Sequence, residues 1–377
     1  MSLFCTPFGD FRLKRYPSQP RETLQAYCSA DALLLESLAE TKRVSPGDDV
    51  LVVNDEHGAL SIPLSAGHYK PTLWTDSALS HLAVINNANS CNQKIPAIVW
   101  SIDSPPSANV VLMRVPKLLP YFEHQLATLS SRLAPGAVVE IAGMDKHLSP
   151  RTGDIIERYL GPTTRHRGAR KARRFTAIVA KHQPSTPATL QSRQYDVKAP
   201  PLTLQSLPNV FSADRLDGGS QLLLSTLAQI KPAEEVIDLA CGNGVLGLAA
   251  IANGITGSLT FCDESAMAIE SARRNVQHLP ASGSLNIKYY HGDGLLGLTV
   301  RPDLILCNPP FHLHHVVDEF AGQRLLRQCA KVLKPYGSLL LVANRHLKYA
   351  PLLRRHFTQV ERLVEDNRFV VWRAIAG

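Results

Sequence analysis

The stretch that decides the fold is EVIDLACGNGVLGLAAIANG, Glu235–Gly254. It begins as an apolar run that carries one acidic residue, Asp238, and it continues with the composition of a helix. Gly242 and Gly244 lie between the two halves, where a backbone without Cβ atoms can turn tightly and approach a ligand closely. In an open parallel sheet such a turn lies at the carboxyl ends of the strands, where ligands bind. The stretch therefore predicts a strand–turn–helix unit with a ligand site at the turn.

Strand and helix patterns alternate on the carboxyl side of this stretch. Strand patterns occur in SLTFCDES (258–265), LNIKYYHGD (285–293), PDLILCNPPF (302–311) and SLLLVAN (338–344). Helix patterns occur in AMAIESARRNVQHL (266–279) and EFAGQRLLRQCAKVLKPYG (319–337), and VERLVEDNRFVVWRAI (360–375) is typical of a hairpin. This alternation predicts an α/β fold, with a mainly parallel sheet covered by helices on both faces.

The first half of the chain repeats the same layout more faintly. Its landmarks are LVVNDEHGAL (51–60), PTLWTDS (71–77), VVLMRVPK (110–117), RLAPGAVVEIAG (132–143) and RRFTAIVAK (173–181). They occur in the same order as their counterparts, at offsets of 187 to 200 residues. We therefore predict two copies of one fold, the alternative being the spacing that any two α/β domains share.

A stretch with many prolines separates the two copies. Residues 183–209 hold five prolines and little apolar periodicity, which is typical of a linker. We therefore expect a first domain over 1–183, a linker over 184–207 and a second domain over 208–377.

Acidic residues follow two further strands of the second copy. Asp263 ends the second strand, where a ribose diol needs an acceptor, and Asp293 ends the third strand, where an adenine amine would lie. Gly247 is offset from the position that would complete a dinucleotide-binding pattern. An adenosine held by two carboxylates and a glycine loop, with no phosphate cradle, indicates S-adenosylmethionine.

The segment before the first strand adds two candidates. Phe211 could cover the cofactor and Asp217 could line the pocket for its amino-acid end, the alternative being a helix cap near Ser220. The full set of cofactor candidates is Asp238, Ala240, Cys241, Gly242, Asn243, Gly244, Asp263, Glu264, Asp293, Asn308, Phe211 and Asp217.

The turn Asn308-Pro-Pro-Phe311 follows the fourth strand and supplies the catalytic candidates Asn308, Pro309 and Phe311. The Asn308 side-chain oxygen and the backbone carbonyl after it can accept both hydrogens of an amine conjugated to a base, which makes its lone pair available. Phe311 would stack on the target ring. The neighbouring histidines 312, 314 and 315 are not at ligand spacing, so we expect no metal, and His312 is a candidate contact for the target nucleotide.

Positive charge is concentrated in the first half. The formal net charge of the chain is +8, and residues 1–200 hold 23 Lys and Arg against 17 Asp and Glu. In the first copy acids replace the glycine loop at 54–58, and cations replace the amine-binding turn at 114–117, which predicts a catalytically inactive domain that binds RNA. The candidate RNA contacts are Arg165, Arg167, Arg170, Lys171, Arg173, Arg174, Arg114, Lys117 and His312.

Several motifs together resemble a known family, the bacterial ribosomal RNA guanine-N2 methyltransferases of the RsmC/RlmG type. They are NVFS (209–212), LDGGSQLL (216–223), VIDLACGNGVLGL (236–248), CDESAMAIESARRNV (262–276), LCNPPFH (306–312) and VANRHLKY (342–349). NDEHGAL (54–60), VPK (115–117) and LGPTT (160–164) resemble the branch that acts on large-subunit (23S) RNA, with the small-subunit (16S) branch as the alternative.

The resemblance covers nearly the whole chain. It implies two tandem Rossmann-like class I methyltransferase domains, each a mostly parallel seven-stranded sheet with helices on both faces. It further implies that only the second domain binds cofactor and that Asn308, Pro309 and Phe311 hold the guanine. Ala240 departs from the glycine that the family usually has, and its methyl group is a small intrusion.

Other functions and the cellular setting complete the expectations. The same Asn-Pro-Pro turn serves enzymes that methylate adenine in DNA or a glutamine amide in protein, and an RNA-binding or ribosome assembly protein without activity is a further alternative. The seven cysteines are scattered without a Cys-x-x-Cys pair, the start lacks a secretory pattern, and no run of 18 apolar residues occurs. We expect a cytoplasmic monomer that acts on ribosomal RNA and needs neither membrane nor metal.

Overall fold

The structure, a computed structural model, describes residues 3–19, 22–180, 192–254, 257–279, 283, 285–309, 312–313, 316–317 and 319–377. The chain divides into two compact units, Met1–Gln191 and Ser192–Gly377. Each unit builds one seven-stranded sheet from its own stretch of chain, and neither sheet takes a strand from the other half.

The first unit alternates strands and helices. Its strands are β1 (Phe4–Thr6), β2 (Gly9–Phe11), β3 (Asp49–Val53), β4 (Lys70–Thr75), β5 (Ala97–Trp100), β6 (Val110–Arg114), β7 (Val138–Met144), β8 (Thr163–Arg165) and β9 (Ala172–Ile178). Its helices are α1 (Ser29–Thr41), α2 (Ser61–Ala66), α3 (Ala78–Ser90), α4 (Leu119–Arg132) and α5 (Thr152–Leu160), with a 3₁₀ turn at Asp145–His147.

The second unit has the same alternation. Its strands are β10 (Arg193–Lys198), β11 (Pro201–Ser206), β12 (Glu235–Leu239), β13 (Ser258–Asp263), β14 (Asn286–His291), β15 (Leu304–Cys307), β16 (His312–Leu313), β17 (Val316–Val317), β18 (Ser338–Asn344), β19 (Gln359–Glu365) and β20 (Phe369–Ile375). Its helices are α6 (Gly218–Leu227), α7 (Val245–Ala252), α8 (Ala266–Gln277), α9 (Glu319–Val332) and α10 (Tyr349–Leu353). Within the described ranges, no helix of either unit is long and apolar enough to cross a membrane.

The two large sheets have the same strand order. The first runs β5-β4-β3-β6-β7-β9-β8 and the second runs β14-β13-β12-β15-β18-β20-β19. In each sheet the first five strands are parallel, the sixth (β9 or β20) is antiparallel to both of its neighbours, and the last (β8 or β19) therefore runs in the direction of the first five. The predicted fold class, two tandem mostly parallel seven-stranded sheets, is therefore confirmed.

The central strand β12 explains why the site forms where it does. Val236 packs into the core on one face of the sheet, and Ile237 and Leu239 pack into the core on the other face. Burying each such side chain stabilises the fold by roughly 1.5–3 kcal/mol, which fixes the register of the strand. Because the strand order reverses at β12, a crevice opens at its carboxyl end between the flanking strands.

In each unit an asparagine side chain holds the loop that follows the central strand, β3 or β12. We call this arrangement the asparagine clamp. Asn275 of α8 donates to the carbonyl oxygens of Gln205 (2.8 Å) and Asn243 (2.9 Å), and it accepts from the Gln205 amide (2.9 Å). Asn87 of α3 makes the matching bonds with the amide and carbonyl of Lys14 and with the loop that follows β3. The clamp thus ties a segment that precedes the sheet in the chain, at Lys14 or Gln205, to the loop after the central strand.

The predicted linker needs correction. Strands β10 and β11 lie inside 184–207 and pair over six residue pairs, with Val197 and Leu204 buried in the core of the second unit. The linker expectation is therefore wrong for residues 193–206. Pro200 and Pro201 misled it, since they occupy the turn and the first position of β11, where proline is tolerated. Residues 181–191 lie outside the described ranges.

Candidate active site

The glycine loop after β12 leaves one side open. Gly242 and Gly244 have φ of 55° and 85°, and the only described atom within 4 Å of a Cβ added at Gly242 is Cγ1 of Val210, at 3.9 Å. A Cβ added at Gly244 would lie 3.0 Å from Phe261, so this glycine permits close packing of α7 on β13. Ala240 also has a positive φ, 56°. Of the three, Gly242 is the residue whose missing side chain leaves space for a ligand.

Asp238 is fully buried beneath this loop. Its Oδ2 accepts a hydrogen bond from the Gly247 amide at 2.8 Å, while Oδ1 is buried with no hydrogen-bond partner among the described residues. Burial raises the pKa of Asp238 to about 8, the Gly247 bond opposes that shift, and the charge of Asp263 adds to it. An unsatisfied buried carboxyl oxygen is costly in the free protein, and a ligand that supplied a donor or a positive charge would stabilise it.

Asp238 should make the stability of the protein without cofactor fall as the pH rises. Below the ordinary pKa of 3.8 the carboxyl is protonated in both the folded and the unfolded chain. Between about pH 4 and pH 8 the unfolded carboxyl ionises while the buried one keeps its proton, so the free energy of unfolding falls by up to ~1.4 kcal/mol per pH unit. Above about pH 8 both forms are ionised and the loss is complete.

The isosteric variant Asp238→Asn tests this expectation. It can still accept the Gly247 bond but cannot ionise, so its urea midpoint should rise relative to that of the parent protein as the pH goes from about 5.5 to 8.5. Comparing the two proteins at each pH cancels the contributions of all other titrating groups. Curves that ran parallel across this range would contradict a raised pKa at Asp238.

Asp263 lies directly beside the glycine loop, at the end of β13. Its two carboxylate oxygens accept from the amides of Gly242 (3.0 Å) and Ser265 (2.9 Å), and its side chain is half-buried. Glu264, the next residue, is also half-buried, and its carbonyl oxygen lies 2.9 Å from Nε2 of His291. The structure thus brings Asp263 to the loop as expected, and its contact with a ribose stays a prediction.

Two other cofactor candidates have their side chains engaged elsewhere. Asp293 is buried and forms an ion pair with Arg324 of α9, so its carboxylate is not free for an adenine amine as the sequence suggested. Asn243 donates to Tyr195 Oη (2.8 Å) and Ser206 Oγ (3.0 Å), so its side chain holds the β10–β11 hairpin instead of facing a ligand. Both expectations used the position along the chain, which does not reveal partners on another element.

The remaining loop candidates divide by exposure. Cys241 is buried, and burial raises the pKa of its thiol, so only its backbone can face a ligand. Phe211 is 74% exposed. The residue before it, Val210, is the one that lies nearest to a Cβ added at Gly242. The ring is therefore exposed and belongs to the turn beside the loop, and its role in covering the cofactor stays a prediction.

Asn308 follows β15 and is held on one side only. Its Nδ2 donates to Asp217 Oδ1 (3.1 Å) and Oδ2 (3.3 Å) and to Ser220 Oγ (3.0 Å). Asp217 also caps α6, as its Oδ1 accepts from the amides of Gly219 and Ser220. The helix cap was the alternative to a place beside the cofactor, and contact of Asp217 with the cofactor stays a prediction. Pro309 is buried, Phe311 lies outside the described residues, and His312 is described only as the start of β16.

The corresponding loop in the first unit is hydrogen-bonded to its own acidic side chain. Asp55 is buried, and its carboxylate accepts from the amides of Gly58 (2.9 Å), Leu60 (3.1 Å) and Ser61 (2.8 Å) and from the Ser61 hydroxyl (2.7 Å). It thus takes the donors at the start of α2, the helix end that attracts anionic groups in other proteins. That the first copy binds no cofactor stays a prediction.

Arg114 replaces Asn308 in the first unit and corrects one RNA-binding candidate. Its guanidinium pairs with Asp31 of α1, whose side chain is 3% exposed. Arginine carries five donors and no acceptor, so it cannot hold the hydrogens of an amine. Because its charge is neutralised inside the unit, Arg114 is a structural residue, whereas Lys117 in the same turn is exposed.

The basic stretch 165–174 spans the turn of a hairpin between β8 and β9. β8 and β9 pair antiparallel, and Arg174 points inward to Glu140 (2.7 Å), which removes it from the candidate RNA contacts. Arg165, Arg170 and Arg173 are exposed but pair with Asp154, Glu36 and Asp145. Arg167 and Lys171 are exposed, and the ion pairs among the described residues include neither of them.

The sequence analysis missed two residues near the site, Arg324 and Phe369, and considered a third, Ser220, only as part of a helix cap. Ser220 contacts Asn308, and Arg324 neutralises Asp293. Phe369 of β20 packs on the first turn of α6, since a Cβ added at Gly219 would lie 3.5 Å from both its ring and Asn308 Oδ1. A Gly-Gly pair next to a helix cap was the available signal for Phe369, because it marks a place where another group approaches the backbone closely.

The site fits S-adenosylmethionine. The open side of Gly242, the partnerless buried oxygen of Asp238 and the half-buried carboxylate of Asp263 suit a cationic adenosine derivative. No group of three potential metal ligands occurs in the described ranges. Residues 201–373 match the family model of the methyltransferase small domain, and residues 1–181 match that of the RLMG N-terminal domain. Fold and site together define a Rossmann-like methyltransferase that uses S-adenosylmethionine.

Comparison with full-length relatives narrows the class. The chain is 40% identical over 379 residues to ribosomal RNA large subunit methyltransferase G of Ectopseudomonas mendocina, covering 99% of this chain and 100% of the relative. The same protein of Pseudomonas aeruginosa is 40% identical with the same coverage, and that of Alcanivorax borkumensis is 37% identical over 99% of this chain and 97% of the relative. The chain belongs to the family of ribosomal RNA large subunit methyltransferase G.

A solved structure supports the fold over the whole length. The 16S rRNA N2 G1207 methyltransferase RsmC of T. thermophilus, in complex with AdoMet and guanosine, aligns with a TM-score of 0.79 and 22% identity. The alignment covers 100% of this chain and 98% of the other. At this identity the likeness establishes the tandem fold and nothing finer.

Proposed function

We propose that the chain transfers a methyl group from S-adenosylmethionine to the exocyclic N2 amine of a guanine in 23S ribosomal RNA. The relatives that share about 40% of its sequence are named for the large ribosomal subunit, which favours 23S over 16S RNA. The observation that carries the chemistry is Asn308, whose amide nitrogen is tied to Asp217 and Ser220. We further propose that the second unit alone binds cofactor and that the protein acts in the cytoplasm, where bacterial ribosomal RNA is modified.

The chain's own residues have a limited chemical task. The exocyclic amine of guanine is a weak nucleophile because its lone pair is conjugated with the ring. Asn308 Oδ1 accepts one amine hydrogen and the backbone carbonyl after it accepts the other, which holds the lone pair toward the donor methyl group. The bound cofactor supplies a methyl group already activated by the sulfonium charge, so positioning is the main requirement. The N–C bond forms as the S–C bond breaks, one amine proton leaves to solvent, and S-adenosylhomocysteine remains.

Methyl transfer to separated ribosomal RNAs tests the proposal. RNA from a strain without this protein is incubated with labelled S-adenosylmethionine, and the products are digested to nucleosides. Label in the large-subunit RNA, recovered as N2-methylguanosine, is the expected result. Label in the small-subunit RNA alone would overturn the substrate but keep the chemistry. Label in neither would favour DNA or protein as the target, and failure to bind S-adenosylmethionine would favour a non-catalytic assembly protein.

We also propose that the first unit binds RNA through the β8–β9 hairpin. Arg167 and Lys171 are its exposed cations outside the ion pairs described above, and Lys117 is exposed in the turn after β6. Cations in this position suit phosphate contacts, which supply affinity without reading sequence. Arg165, Arg170 and Arg173 are near enough along the chain to join them if their acidic partners are exchanged for phosphates.

Reversal of charge at two hairpin positions should weaken RNA binding. We expect Arg167→Glu/Lys171→Glu to lower RNA affinity about tenfold or more at moderate salt and to reduce the slope of log affinity against log salt by about two. The matched control is Lys70→Glu/Lys94→Glu, exposed cations of the same unit at the amino ends of β4 and β5. Filter binding across a salt series, with cofactor affinity measured beside it, distinguishes the two. Equal effects of both pairs would remove the hairpin from the proposed contact surface.

A further inference from the structure

The orientation of the Asn308 amide follows from the chemistry of its neighbours. Its nitrogen lies 3.1 Å and 3.3 Å from the two oxygens of Asp217. An ionised carboxylate only accepts hydrogen bonds, so the nitrogen and not the oxygen of the amide must face it. Among the described residues, no donor bonds to Asn308 Oδ1. The amide therefore turns its nitrogen to Asp217 and leaves its acceptor oxygen available to a donor from outside the described residues.

Asp217 is itself fixed by the backbone. Its Oδ1 accepts from the amides of Gly219 (2.9 Å) and Ser220 (3.1 Å) at the first turn of α6. Ser220 is 3% exposed and its hydroxyl oxygen accepts a second bond from Asn308 at 3.0 Å. A Cβ added at Gly219 would lie 3.1 Å from Asp217 Oδ1 and 3.5 Å from Asn308 Oδ1. The helix start thus forms a rigid acceptor pair shaped to one orientation of the amide.

We infer that Asp217, together with Ser220, is a positioning residue that locks the Asn308 amide with Oδ1 toward the target amine. The inference rests on the proposed function, since it concerns the same amine-holding contact. Without the lock the amide can rotate by half a turn and place its NH2 group against the NH2 group of guanine. Two donors then face each other, the amine hydrogens lose their acceptor, and the lone pair returns to conjugation with the ring.

The first unit shows the same structural device around a different side chain. Arg114 ends the strand that corresponds to β15 and pairs with Asp31 in the first turn of α1, as Asn308 pairs with the first turn of α6. In both copies an acid at the start of the helix that precedes the sheet in the chain thus holds a residue at the carboxyl end of the fourth strand: Arg114 is the last residue of β6 and Asn308 is the first after β15. Arg114 has no acceptor to orient, whereas the amide of Asn308 has one. We therefore assign the lock in the second copy a role in methyl transfer as well as in folding.

The variant Asp217→Asn separates orientation from folding. Asparagine caps helices as well as aspartate does, so α6 should persist, but its amide can face Asn308 with either oxygen or nitrogen. We expect kcat to fall roughly 10- to 100-fold. This is less than the loss expected when the contact to the reacting group is removed altogether, about 100- to 1000-fold. The affinity for S-adenosylhomocysteine and the KM for RNA should change less than about twofold. Ser220→Ala, which leaves the cap intact, should lower kcat by a smaller factor of about three.

Two double variants make the test decisive. In an Asn308→Ala background Asp217→Asn should lower kcat no further, because the group that it orients is gone. Asn308→Asp alone should be nearly inactive, since it sets two carboxylates against each other. Adding Asp217→Asn restores a donor facing an acceptor, so Asn308→Asp/Asp217→Asn should be at least about tenfold more active than Asn308→Asp.

The outcomes distinguish this inference from the proposed function. If Asp217→Asn keeps full activity while Asn308→Ala is inactive, the lock is wrong and the proposed function stands. If Asp217→Asn loses activity through lost cofactor affinity, and the charge swap restores nothing, Asp217 contacts the cofactor instead and the inference is overturned. If the unchanged protein forms no N2-methylguanosine in any ribosomal RNA, the proposed function fails independently of the lock.

Discussion

Replacing Asn308 with alanine should lower kcat for methyl transfer about 1000-fold while leaving the affinity for S-adenosylhomocysteine unchanged. The side chain supplies an acceptor for the target amine, and losing one preorganised hydrogen bond to a reacting group costs about 100- to 1000-fold in rate. Its nitrogen bonds to Asp217 and Ser220, neither of which belongs to the glycine loop, so the pocket around that loop should keep its shape. Single-turnover transfer to RNA and calorimetric titration with S-adenosylhomocysteine measure the two quantities.

The matched control for this variant is Asn253→Ala. Asn253 follows α7, and within the described part of the chain its side chain donates to the Ala249 carbonyl of the same helix (2.8 Å). Asn308 is half-buried and Asn253 is exposed, and each variant removes one hydrogen-bonded amide, so an effect common to any such loss would appear in both. Retained turnover in Asn308→Ala would remove the amine-holding role and with it the proposed chemistry.

Replacing Gly242 with alanine should weaken cofactor binding roughly 10- to 100-fold. A Cβ at this position has nothing but Val210 within 4 Å in the described structure, so it would occupy the open side of the loop where the cofactor fits. A methyl group forced into a packed contact costs ~1–3 kcal/mol, which corresponds to that range of affinity. The positive φ of 55° adds a separate strain of roughly 1 kcal/mol to the folded state with or without the cofactor.

A second glycine isolates the steric effect from the strain. Gly254 has φ of 89° and no described atom within 4 Å of an added Cβ, and it lies past the far end of α7. Gly254→Ala should therefore carry the same kind of backbone strain with unchanged cofactor affinity. Equal affinities of the two variants for S-adenosylhomocysteine would show that the space beside Gly242 is not where the cofactor binds.

Much of the fold could be predicted because strands and glycine turns leave local signals. The run from Glu235 to Leu239 is buried on both faces, so its apolar pattern predicted the strand directly. The site residues Asp263 and Asn308 could be placed because parallel strands end at one edge of a sheet. The duplication was visible because each copy retains the same order of landmarks, even where the residues have changed.

What the sequence did not predict depends on contacts between distant positions. Asp293 and Asn243 were expected to face a cofactor, but Arg324 and Tyr195 engage them from elements 31 and 48 residues away. The inward direction of Arg174 could not be predicted for the same reason. A sequence shows that a residue is charged, but it does not show which face of the sheet that residue points to. Such pairs require knowledge of which helix packs against which strand end.

The confinement of each sheet to its own half of the chain has a consequence for biosynthesis. A ribosome releases the chain from its amino end, so every strand of the first sheet has emerged before β12, the centre of the second, is made. Tandem domains of like topology are prone to exchange equivalent strands when they fold at the same time. Because synthesis is vectorial, the two units fold at different times. The first unit can therefore complete its sheet before the strands of the second unit are available to pair with it.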